Sequence, residues 1–136
     1  MGLDFTIGKW TDEDFDRDDG AAWMKMRVHA PSWAYSGFHR FRERLADEVG
    51  IPLNNMKGFH EHGKPWAEYA DEDLLPLLNH SDCDGQMTPA ECERVAPRLR
   101  EIVGRWEEGD YDRMMGERLA GFMERCIEAD KPLVFT

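Results

Sequence analysis

A chain of 136 residues with 41% hydrophobic side chains is long enough for one packed domain over 1–136 and too apolar for wholesale disorder. Its 28 acids against 17 lysines and arginines leave a net charge of −11, which disfavours nucleic acid and anionic membranes and favours cations or a basic protein partner. Three cysteines without framework spacing point to a reducing cytoplasm, and neither a signal peptide nor the ~18-residue apolar run of a membrane span is found.

In chain order, Leu3, Phe5 and Ile7 alternate with Asp4 and Thr6, the pattern of a half-buried strand. The acid-rich run from Asp12 to Gly20 reads as a solvated loop. Met24, Met26 and Val28 alternate with Lys25, Arg27 and His29, predicting a second strand whose basic residues would lie opposite Asp4 in an antiparallel pair. Ser32 is placed to cap a helix with Phe38, Phe41, Leu45 and Val49 on its apolar face, Arg40, Arg42 and Arg44 on its wet side, and Gly50 as its stop. From Ile51 to Pro65 the chain is irregular, and a long loop in a small domain is often functional. A short helix from about Trp66 or Asp71 to Leu78 is expected to be interrupted by Pro76. The next begins at Thr88, with Cys92, Val95, Leu99, Ile102, Val103 and Trp106 at helical spacing and Pro97 expected to kink or break it. Asp110 caps the last helix, whose apolar face reads Tyr111, Met115, Leu119, Phe122, Met123 and Cys126. Pro132 to Phe135 supplies an apolar run that can join the N-terminal pair. The expected fold is α+β and mostly helical, with about four helices and a small two- to three-stranded antiparallel sheet from the N- and C-terminal segments.

The richest stretch lies between the second and third helices. With Gly85 at the sixth place of a twelve-residue loop, His80 stands at the first, Asp82 at the third and Asp84 at the fifth. Gln86 then takes the seventh place, Thr88 the ninth and Glu91 the twelfth. Residues 80–91 in this pattern resemble a degenerate EF-hand loop, in which these positions give oxygen ligands and the glycine makes the turn. The resemblance implies calcium bound by Asp82, Asp84, the Gln86 carbonyl, Thr88 and Glu91. His80 departs from it, bringing a nitrogen where the family has an aspartate. No second complete loop is present to pair with this one: Asp14, Asp16 and Asp18 keep the spacing, but Asp19 occupies the glycine's place. An ion-free reading of the same residues stands beside it. Thr88-Pro89-Ala90-Glu91 is a capping box with proline at the first helical position, and His80 can pin the loop by hydrogen bonds.

Other constellations carry alternative chemistries. His80, Asp82 and Cys83, joined by His60 and His62, offer borderline ligands for zinc, and Glu61 could then act as the base of a zinc-dependent hydrolase using His60, His62 and His80. Trp33, Tyr35, Ser36, Phe38 and Arg40 surround a predicted helix start, where amides, an arginine and aromatic faces would suit a nucleotide-like ligand. The bland alternative puts Trp33, Tyr35 and Phe38 in the core. Cys92 and Cys126 fall on apolar helix faces and read as buried hydrophobes, while Cys83 lies in the polar loop. The segments Trp33-Ala34-Tyr35-Ser36-Gly37-Phe38 and His80-Ser81-Asp82-Cys83-Asp84-Gly85 also look like a group of small bacterial and phage proteins, a resemblance that by itself implies no activity; a phage origin would make an accessory role the hypothesis, either sequestering a nucleotide-like ligand or inhibiting a host protein. The leading expectation is a non-enzymatic acidic binding protein with a calcium-type loop.

Overall fold

A computed structural model describes residues 2–7, 30–81 and 85–135. Strand β1 (Gly2–Ile7) lies inside a four-stranded antiparallel sheet with β2 (Ser32–Ala34), β3 (Gln86–Met87) and β4 (Leu133–Phe135), in the order β2-β1-β4-β3. The helices are α1 (Tyr35–Glu48), the single turn α2 (Leu75–Leu78), α3 (Pro89–Val103) and α4 (Tyr111–Ala129). Two 3₁₀ turns, Leu53–Asn55 and Trp66–Tyr69, punctuate the connection from α1 to α2. The fold is α+β and mostly helical, as the periodicities predict.

The alternation in β1 turns Leu3, Phe5 and Ile7 inward, all buried, while Gly2 and Asp4 face out. Their neighbours across the sheet are Trp33 beside Leu3, Phe135 beside Phe5 and Leu133 beside Ile7. The inward face is therefore aromatic, with Phe5 edge-on to Phe135 at 4.9 Å and to Phe38 of α1 at 5.9 Å. Helix α1 brings Phe38, Phe41 and Leu45 to this face, and α3 packs along α4 in the most extensive contact between any two elements. Gly116 permits that close packing: a Cβ there would lie 2.7 Å from Val103 Cγ1 and 3.3 Å from the Phe41 ring.

Among the described residues the sheet has four strands, not two or three. Ser32–Ala34 is a strand and not a helix start, and Gln86–Met87 pairs with Leu133–Val134 from within the central loop. Ala34, not Ser32, occupies the N-cap of α1, with no side-chain cap. The reason is Trp33: burying its indole fixes the extended backbone, and one inward residue between two exposed ones is too short an alternation to stand out beside a helical pattern. The described partners of β1 are β2 and β4, and the predicted strand Met24–Val28 lies outside the described residues.

Three further expectations are corrected. Pro76 sits in the first turn of α2 and starts it, because a first-turn N–H has no helical acceptor to lose. Helix α3 is not broken at Pro97, whose missing N–H leaves the carbonyl of the exposed Glu93 without its helical donor. Tyr111 is 53% exposed rather than apolar-face core, and its hydroxyl donates to the Ser32 carbonyl at 2.6 Å. Cys92 and Cys126 are buried as expected; a hydrogen bond with Cys126, then burial, pushes the Cys92 thiol far up, so it is inert as a nucleophile.

Asp110 caps α4, accepting from the Arg113 amide at 3.2 Å. Arg44 reaches the same carboxylate at 2.9 Å while its guanidinium lies 3.7 Å over the Trp106 ring. Burial raises the Asp110 carboxyl, but the Arg113 amide and the Arg44 guanidinium together outweigh it and hold the group below the usual range. A depressed folded value gives stability that is present above the unfolded value of about 3.9 and lost as pH falls through the folded one. Melting temperature followed from neutral pH to below pH 4 should therefore fall less steeply in Asp110→Asn than in the wild type over that acid limb. Parallel acid limbs would show that this carboxylate does not couple to folding.

Candidate functional site

The central loop is tied to its surroundings chiefly through His80. His80 follows directly on α2. Its ring stacks on Phe135 of β4, with centroids 3.9 Å apart and planes 20° from parallel. Its Nδ1 lies 2.9 Å from the Ser81 carbonyl and its Nε2 lies 3.1 Å from the Gln86 carbonyl. Its own carbonyl accepts from Arg42 Nη1.

Arg42 is the outstanding residue here. It is the one charged residue among the described ones to be fully buried, at 1% exposure. Its guanidinium sits 4.8 Å from the Phe38 ring centroid and 5.4 Å from that of Phe59. The helical pattern assigned Arg42 to the wet side of α1, and that is corrected. One helical turn from Phe38, it is covered by the 56–64 loop, which no local pattern reveals.

Gly85 takes φ +90°, the left-handed region that favours glycine, and a Cβ there would stand 3.3 Å from His80 Cε1. The same residue's carbonyl accepts from the Phe135 amide at 2.9 Å, tying the turn to β4. Beyond it the capping box forms in full. Glu91 N donates to Thr88 Oγ1 at 3.2 Å, and Glu91 Oε1 accepts from Thr88 N at 3.0 Å and from Thr88 Oγ1 at 3.1 Å. Of the six loop positions that the calcium pattern uses, those of His80, the Gln86 carbonyl, Thr88 and Glu91 all engage protein groups. Asp82 and Asp84 lie outside the described residues, as do Cys83 and the Asp14 to Asp18 run. Among the described residues, no three His, Cys, Asp or Glu side chains are grouped to hold a metal ion.

The zinc arrangement of His60, His62 and His80 is not assembled. His60 and His62 are exposed, their ring centroids 6.4 Å apart, and His60 Nδ1 accepts from the His62 amide at 3.1 Å. His80 is committed to Phe135 and the Gln86 carbonyl.

The proposed stacking surface at Trp33, Tyr35, Ser36, Phe38 and Arg40 is likewise reshaped. Trp33 and Phe38 are core, with Trp33 stacked on Phe41 at 4.6 Å and its Nε1 donating to Asp112 Oδ1 at 3.1 Å. Tyr35 is half-buried, and Ser36 and Arg40 are at the surface. The core reading holds for Trp33 and Phe38.

What the sequence did not reveal is a cleft of about 410 Å³ between α1, residues 57–59 and residues 79–81. His39, Arg42, Lys57 and His80 line it together with Phe59 and Asn79, and none of the described lining residues is acidic. The loop forming one wall is built by backbone bonds: Lys57 N donates to the Lys64 carbonyl at 2.9 Å, and Lys64 N to the Asn55 carbonyl at 2.9 Å. Trp66 Nε1 donates to the Lys57 carbonyl at 2.9 Å, which holds that wall against the aromatic pair Phe59–Trp66. On the other wall, His39 Nε2 lies 3.0 Å from Asn54 Oδ1 and 3.1 Å from Glu43 Oε1, with its ring 5.8 Å from that of Phe59. The basic lining draws on three separate stretches of chain, so only the suspicion attached to the long 51–65 loop pointed towards it.

No helix among the described residues is long and apolar enough to cross a membrane. The chain matches no family model, no curated protein and no solved structure.

Proposed function

We propose that this chain is a small, acidic, non-enzymatic binding protein of the cytoplasm, that the cleft beside Arg42 is its binding site, and that the ligand is a small anion carrying a flat group. One observation carries the reading: a cleft lined by two histidines, an arginine and a lysine, with no acid among its described lining residues, in a chain of net charge −11. Its volume of about 410 Å³ falls within the size of small-molecule sites. Phe59 and His39 supply a flat apolar side, and Lys57 at the rim supplies a mobile cation. Glu43 lies 3.1 Å from His39, so the exposed cation of the cleft is Lys57, and acids beyond the ~8 Å Debye length of physiological salt are largely screened from it. The central loop serves as a wall of the site through His80.

Titration with AMP, followed by NMR, tests this. AMP should shift the resonances of His39, Phe59 and His80, with adenosine binding more weakly, and Lys57→Glu should weaken AMP binding about tenfold by reversing one rim charge. Shifts confined to other surfaces, or equal binding of AMP and adenosine unaffected by Lys57→Glu, would reject the reading.

A further inference from the structure

We infer that the EF-hand-like loop is closed by the protein's own donors where its pattern calls for a metal ion, with the His80 ring holding the seventh-position carbonyl and Arg42 holding His80 in turn. The inference concerns the loop and stands independently of what the cleft binds. In a calcium loop the seventh position contributes its main-chain carbonyl to the ion. Here that carbonyl belongs to Gln86, and it lies 3.1 Å from His80 Nε2. The first-position residue, which the pattern expects to be an anionic ligand, is therefore the partner of the carbonyl with which it would have shared the ion.

Three observations make the substitution structural. The ring cannot swing freely, because it is stacked 3.9 Å from Phe135. The His80 carbonyl is held by a guanidinium that is itself buried at 1% exposure between two aromatic rings. Met87, in the eighth position, pairs with Leu133 of β4 and so finds within this chain the strand neighbour that a second loop would otherwise supply. The arrangement performs the two tasks of the ion, drawing the loop's ends together and presenting a fixed positive charge, with side chains from α1 and from the loop itself. A fixed guanidinium beside the first position also opposes a second cation there.

The experiment has two arms, and the first needs no variant. Wild-type protein melted in chelator and in millimolar calcium should give superimposable curves. In the second arm, hydrogen exchange at the Phe135 amide, which donates to the Gly85 carbonyl, is compared between wild type and His80→Gln. It should accelerate about tenfold or more in the variant, while amides of the α4 interior such as Leu119 exchange at the wild-type rate. A melting temperature raised by calcium in the wild type overturns the inference. So does unchanged exchange at Phe135 in His80→Gln.

Discussion

Replacing Arg42 by methionine should destabilise the protein by about 3 kcal/mol, measured as a lower urea midpoint at unchanged slope. Two opposing effects decide the sign. Exchanging a buried ion for an apolar side chain of similar length removes a desolvation cost, and that exchange can be stabilising when all partners of the ion are replaced together. Here the partners stay. The His80 carbonyl loses a charge-assisted hydrogen bond, a loss of about 1.5–3 kcal/mol, and the faces of Phe38 and Phe59 lose a desolvated cation. Breaking one side of the arrangement therefore dominates. Arg42→Lys keeps the charge but not the planar fork, so it should fall between wild type and methionine. A methionine variant as stable as the wild type would mean that Arg42 is tolerated in the core, not required by it.

Trp33→Ala should be at least as damaging, at about 4 kcal/mol, the usual range for deleting a large buried aromatic side chain. The indole meets Phe5 at 6.2 Å, Phe38 at 5.4 Å and Phe41 at 4.6 Å, so its loss opens a cavity where β1, β2 and α1 converge. Trp33→Phe keeps a ring in place and should cost only about 1–2 kcal/mol, much of it the bond from Nε1 to Asp112 at 3.1 Å. Thermal melts of the two variants measure the ladder. The phenylalanine variant also separates the core role from a ligand role: its affinity for AMP should match the wild type, since Trp33 is 3% exposed and does not line the cleft. A loss of AMP affinity in Trp33→Phe with little loss of stability would restore the aromatic cluster as a binding surface.

Local pattern carried the reading furthest where one element's own residues settle its conformation. Leu3, Phe5 and Ile7 alternate and form a strand; Thr88 through Glu91 spell a capping box and make one; Asp110 caps the helix it was expected to cap. The C-terminal run joins the N-terminal strand because both have one apolar face to bury. Pattern misled where a long-range partner overrides it. Ser32–Ala34 became a strand because Trp33 fills the core.

By itself, then, the sequence determined an α+β chain, most of its helices, and a loop whose glycine and capping box set the backbone of residues 85–91. The tertiary structure alone decided what surrounds that loop. Arg42 is separated from His80 by 38 positions, and Phe135 by more, so neither leaves a mark in any local window. Burial of a guanidinium depends on which loop folds over it, and a cleft depends on three stretches converging. Periodicity reports only which face of an element turns inward; what meets that face is set by packing.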